Sequence, residues 1–194
     1  MTSRCLRELI AQADERGLAG SGLACLERCL PPLESGAGPL RPLWTGLAAG
    51  ADGWADRLAT AREAMADTTD DDEATALVRQ MLAAAPATWT VAPLREWADD
   101  CSVAALELHH RFDRGPGDGE PEAADVVEVL KNCREGAPTD AGPLLTGELR
   151  RQVRVLEILA DGTGGAGLRQ VLGISTEGQR VLRAVVSRRA RVRR

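Results

Sequence analysis

The 194-residue sequence predicts an all-α protein: a helical bundle with a basic helical segment at its C-terminal end. Three observations carry this. Apolar residues recur three and four positions apart along nearly the whole chain, the spacing that lays them on one face of a helix. Alternating runs rich in β-branched and aromatic residues, which would mark strands, are nearly absent. Hydrophobic residues make up 44% of the chain but aromatics only 3%, so the core is expected to consist of Leu, Val and Ala.

Taken in order, Cys5, Leu6, Leu9, Ile10 and Ala13 form a first apolar stripe, with Gly17 as its expected C-terminal stop. A short helix over about 21–30 ends at Pro31 and Pro32. Leu43, Leu47, Trp54, Leu58, Ala61 and Met65 mark a third helical region, which Gly46, Gly50 and Gly53 can divide in two. Asp70, Asp71, Asp72 and Glu73 open the next helix, which runs to about Ala85, and set their charge against its positive dipole end. Val91, Leu94, Trp97, Cys101, Ala104, Ala105, Leu108 and Phe112 continue the helical spacing up to a loop at 115–121. Pro121 fits the first position of a helix carrying Val126, Val127, Val129, Leu130 and Cys133, which stops at Gly136. The count is five or six helices up to about residue 140. A second loop, 137–143, divides an acidic all-helical domain (1–140) from a basic C-terminal helical segment (144–194) that can pack into the same domain.

Charge divides at that boundary. Residues 145–194 hold eleven arginines against four acids, net +7, whereas residues 1–144 hold 13 basic and 25 acidic groups, net −12, giving the chain total of −5. A polyanion partner responds to such local charge, not to the chain average. Within the basic segment, Leu149, Val153, Leu156, Ile158 and Leu159 form a helix ended by Gly162. A short helix is expected around 168–172, then a turn at Gly173, Ile174 and Ser175 with Ser175 or Thr176 as N-cap, then a last helix with Val181, Leu182, Val185 and Val186 inward.

Val155-Leu156, Ile158-Leu159-Ala160, Gly162, Leu168 and Leu172-Gly173-Ile174-Ser175 stand where the LuxR-type helix-turn-helix domain has Val-Leu-x-Leu-Leu-Ala-x-Gly, nine residues, then Leu-Gly-Ile-Ser. The segment therefore resembles that family over about 40 residues, and Arg169 stands where the family carries a small residue. What the resemblance implies is a recognition helix set into a DNA major groove, with phosphate contacts from Arg180, Arg183, Arg188, Arg189 and Arg191. Nearly all the basic residues are Arg, with Lys131 the single lysine, which fits a GC-rich bacterial genome as well as a chosen phosphate contact.

Other constellations point to no site. Five cysteines without an export signal read as reduced thiols in a cytoplasmic protein, buried as small hydrophobes. Only Cys25 and Cys29 are spaced to share a face, and zinc needs more. Glu107 and His110 lie one helical turn apart as in di-iron bundles, but the only other histidine is His109, so the pair reads as polar residues at an exposed helix end. Glu96 with Asp99 and Glu122 with Asp125 loosely resemble the Mg²⁺-holding pairs of all-helical MazG-type nucleotide pyrophosphohydrolases. The G-x-G-x-x-G at 162–167 follows a helix, not a strand, and reads as a linker. Trp44, Trp54, Trp89 and Trp97 read as core and helix-junction fillers. No apolar run reaches the ~18 residues of a membrane span.

The resulting expectation is a non-enzymatic accessory or regulatory protein that acts by binding, with DNA or an acidic protein as partner of the basic segment. The alternatives are an adaptor with no nucleic-acid role and a MazG-like Mg²⁺-dependent hydrolase. No cofactor or metal ion is implied, and the sequence sets no oligomeric state.

Overall fold

The computed structural model describes residues 5–30, 38–47, 49–66, 73–114, 122–139, 141–162 and 164–192. The expected acids at 70–72, the loop at 115–121, Pro31, Pro32, Pro121, Arg193 and Arg194 lie outside these. Among the described residues the protein is all-α, with nine helices and no strand: α1 (Leu6–Gln12), α2 (Glu15–Cys29), α3 (Arg41–Gly46), α4 (Trp54–Ala66), α5 (Glu73–Ala84), α6 (Val91–Asp113), α7 (Ala123–Arg134), α8 (Pro143–Ala160) and α9 (Gly164–Val192).

The helix at the centre is α2, which packs against α5, α6, α8 and α9. Leu18, Ala19, Leu23, Ala24, Cys25, Leu26 and Cys29 are all fully buried, so this helix is enclosed on nearly every side. Two glycines let its neighbours approach. A Cβ at Gly22 would fall 2.6 Å from the Trp97 ring of α6, and one at Gly20 would fall 2.8 Å from Leu159 of α8. The expected start near residue 21 is thus six residues late. Gly17 does not stop a helix but sits in the first turn of α2, where its N–H donates to the Asp14 carboxylate at 2.7 Å. Asp14 is the N-cap, and the break before it is the extended Ala13.

Among the described residues seven helices, not five or six, precede residue 140, because the third region does divide. Gly50 and Gly53, with φ of 69° and 68°, turn the chain between α3 and α4. Gly136 (φ 90°) and Gly162 (φ 64°) follow α7 and α8 as the sequence implies. At the junction of α6 and α8, the Asp113 carboxylate accepts from the Leu144 and Leu145 N–H groups, both at 2.8 Å, and so caps the start of α8. Trp54 and Trp97 are buried and meet edge to face at 6.4 Å, and Trp89 closes on Trp54 at 5.0 Å.

The basic segment shares this core. Leu145, Leu156, Val171 and Leu182 belong to the same buried cluster as Leu18, Leu106 and Trp54. No described helix is long and apolar enough to cross a membrane.

Candidate functional site

The outer helix α9 carries the residues that the sequence marks for binding. It is one uninterrupted helix of 29 residues, so the expected turn at Gly173, Ile174 and Ser175 is not formed. Ser175 is no N-cap: its hydroxyl is buried and donates to the Val171 carbonyl at 2.9 Å, and Thr176 does the same to Leu172. Such i−4 bonds sit inside a helix. The physical reason lies in the apolar spacing. Leu168, Val171, Ser175, Gly178 and Leu182 alternate three and four apart straight across the expected turn and are all buried, against α2 and α8. Gly164 to Gly167 likewise begin the helix instead of forming a linker.

The five expected contact residues divide on this helix. Arg180, Arg183, Arg188 and Arg191 are exposed. Arg189 is not free: its guanidinium donates to the carbonyls of Phe112 (2.9 Å) and Arg114 and lies over the Phe112 ring at 5.1 Å, tying the far end of α9 to the end of α6. Arg169, also on α9, is exposed and adds to the set. At 100° per residue Arg169, Arg180, Arg183 and Arg191 fall within a sector of about 80°, opposite the buried face, and span about 33 Å along the axis. Exposed Leu172 and Val186 border that stripe. The only acid on α9, Glu177, lies 4.0 Å from Arg151 of α8.

Beneath α9 lies an ion cluster that the sequence reading missed. Arg28 of α2 meets Glu148 of α8 in a two-pronged pair, with Nε at 2.9 Å from both carboxylate oxygens and Nη2 at 2.7 Å from Oε1. Gln152 donates to the same carboxylate at 3.0 Å and accepts from the Ser102 hydroxyl at 2.7 Å. His109 of α6 brings Nε2 to 3.7 Å from Glu148. Its Nδ1 lies 2.7 Å from the Ala105 carbonyl, which only accepts, so Nδ1 carries a proton. Arg28, Glu148 and His109 all have 0% exposure, whereas of the pair expected at an exposed helix end Glu107 is exposed and His110 half-buried. The signal was present: Arg28 falls between Cys25 and Cys29, and Glu148 between Leu145 and Leu149, on stripes that are otherwise apolar.

Burial alone would raise the Glu148 pKa. The Arg28 charge, then His109 and the hydrogen bonds from Arg28 and Gln152, more than offset it and hold the carboxyl below its ordinary value. Burial likewise lowers Arg28, but Glu148 reverses this and keeps the guanidinium charged. Burial pushes the Cys25 thiol up to about 12 and raises Cys29 and Cys101 well above their usual value, so these thiols stay protonated and weakly nucleophilic.

The carboxylate pairs do not converge. Asp99 is engaged by Arg134 across to α7, and Glu107 by Arg111 on its own helix. No group of three or more metal-ligating side chains occurs among the described residues. No family model, no curated protein and no solved structure matches the chain. The class that the geometry defines is an all-α bundle with a sealed internal ion cluster and a cationic outer helix.

Proposed function

We propose that the protein is a non-enzymatic binding protein that engages an acidic protein segment through the exposed arginine face of α9. The observation that carries this is the single sector holding Arg169, Arg180, Arg183 and Arg191 on a helix held in place by packing along its opposite face. Arginine beside exposed aliphatic side chains, here Leu172 and Val186, is the composition of a protein-binding surface. The acidic remainder of the chain steers an acidic partner onto this one face. A single continuous helix packed along the bundle lacks the paired helices of a major-groove reader. Catalysis draws no support from the interior, because Arg28, Glu148 and His109 are closed to any substrate.

The test is fluorescence anisotropy with a labelled Asp/Glu-rich peptide and, separately, a mixed-sequence DNA duplex, each at low and physiological salt. The expected result is peptide binding that weakens with salt and falls at least about tenfold when Arg169, Arg180, Arg183 and Arg191 are all changed to Gln. Tighter binding to the duplex with a steep salt slope transfers the face to nucleic acid. Equal peptide binding by the variant overturns the proposal.

A further inference from the structure

A second feature lies away from α9. A pocket of about 430 Å³ opens between the start of α1, the end of α7 and the flank of α8. That volume falls in the range of small-molecule sites. Its buried lining is apolar, with Leu6 and Leu149 buried and Val153 half-buried beside them. Its exposed lining is Gly136 and Pro138 together with two cations, Arg150 and Arg154, on successive turns of α8. Arg154 lies 3.4 Å from Glu157, whereas Arg150 has no ion-pair or hydrogen-bond partner among the described residues. With two arginines and one glutamate, the lining carries one net positive charge. An ion pair from Arg7 to Glu135, at 2.8 Å, ties the α1 wall to the α7 wall.

Apolar depth with one unpaired guanidinium at the mouth is complementary to a molecule of the opposite arrangement. We infer that this pocket binds an amphipathic monoanion of the aliphatic carboxylate class. The chain lies along Leu6, Leu149 and Val153, and the carboxylate meets Arg150. A planar guanidinium takes both carboxylate oxygens in one two-pronged contact, which a neutral headgroup cannot match. The single net charge favours a monoanion over a dianion. This site shares no residue with the arginine face of α9, so either proposal can fail without the other.

Calorimetric titration of the full chain with octanoate, decanoate and octanol, each below its aggregation threshold, tests it. The expected result is one-to-one octanoate binding, about fourfold tighter for each added methylene. Octanol is expected to bind about tenfold more weakly than octanoate. Arg150→Gln, at an exposed position, reduces octanoate to the level of octanol, and Arg180→Gln on α9 leaves it unchanged. Octanol binding equal to octanoate, unchanged octanoate affinity in Arg150→Gln, or no octanoate binding at all overturns the inference.

Discussion

Gly178 of α9 lies directly on Arg28 of α2: a Cβ at position 178 would fall 2.6 Å from the Arg28 Cδ and 2.9 Å from its Cγ. The arginine cannot swing aside, because its head is held on both oxygens of Glu148. Gly178→Ala is therefore expected to lower stability by about 1–3 kcal/mol, although alanine is the better helix former. Urea denaturation measures this, and a gain in stability would show that α9 does not rest on the ion pair.

Glu148 is the counter-charge for a guanidinium with no access to water. Glu148→Ala leaves that charge buried and unmatched and is expected to cost about 3–5 kcal/mol. Replacing both partners, as Arg28→Met with Glu148→Leu, is expected to recover most of the loss, since apolar side chains of similar volume fill the site. Denaturation of the two variants side by side decides the point. An equal loss in both would contradict it.

The same carboxylate sets an acid limit. Its folded pKa lies below its unfolded value of about 4.3, so its contribution is complete above that pH and is lost as pH falls through the folded value. Stability is expected to drop below about pH 4, and Glu148→Gln to flatten that part of the profile. Thermal melts from pH 7 to pH 3 would show it, and a Gln variant with an unaltered acid slope would assign the loss to other groups.

Thiol reactivity separates one cysteine from the rest. Cys25, Cys29, Cys101 and Cys133 are buried with raised pKa values, whereas Cys5 is half-buried at the start of α1. A thiol reagent at pH 8 is expected to label Cys5 first and the other four only on unfolding. Mass spectrometry of the labelled peptides reads this out, and early labelling of Cys25 or Cys29 would contradict the sealed core around α2.

Much of the architecture was legible in the sequence because the stops were local. Gly136 and Gly162 end helices by taking positive φ, and Gly50 and Gly53 divide the third region. The start of α2 was misread because Gly17 looks like a stop, whereas in the fold it sits in the first turn against Asp14, and Gly20 and Gly22 beyond it let Leu159 and Trp97 come close. The C-terminal segment was misread for a related reason. Gly173 and Ser175 have turn character, and the small residues Ser175 and Gly178 hide an inward stripe that Leu168, Val171 and Leu182 continue on either side. The pairing of Arg28 with Glu148 joins residues 120 apart, and only tertiary packing of α2 on α8 brings them together. The positions of Arg180, Arg183, Arg188 and Arg191 on an exposed helix could be anticipated from charge alone, but the tether at Arg189 depends on where α6 ends.

Arg169, Arg180, Arg183 and Arg191 share a face because the basic end is one continuous helix. Gly173 opens the expected turn, and in the structure it is helical with nothing within 4 Å of an added Cβ. Urea denaturation of Gly173→Ala measures whether that continuity holds. A continuous helix predicts a gain of about 0.5–1 kcal/mol, from the higher helix propensity of alanine at an open site. A loss of stability would contradict it, because alanine is penalised where a turn needs the left-handed conformation of glycine.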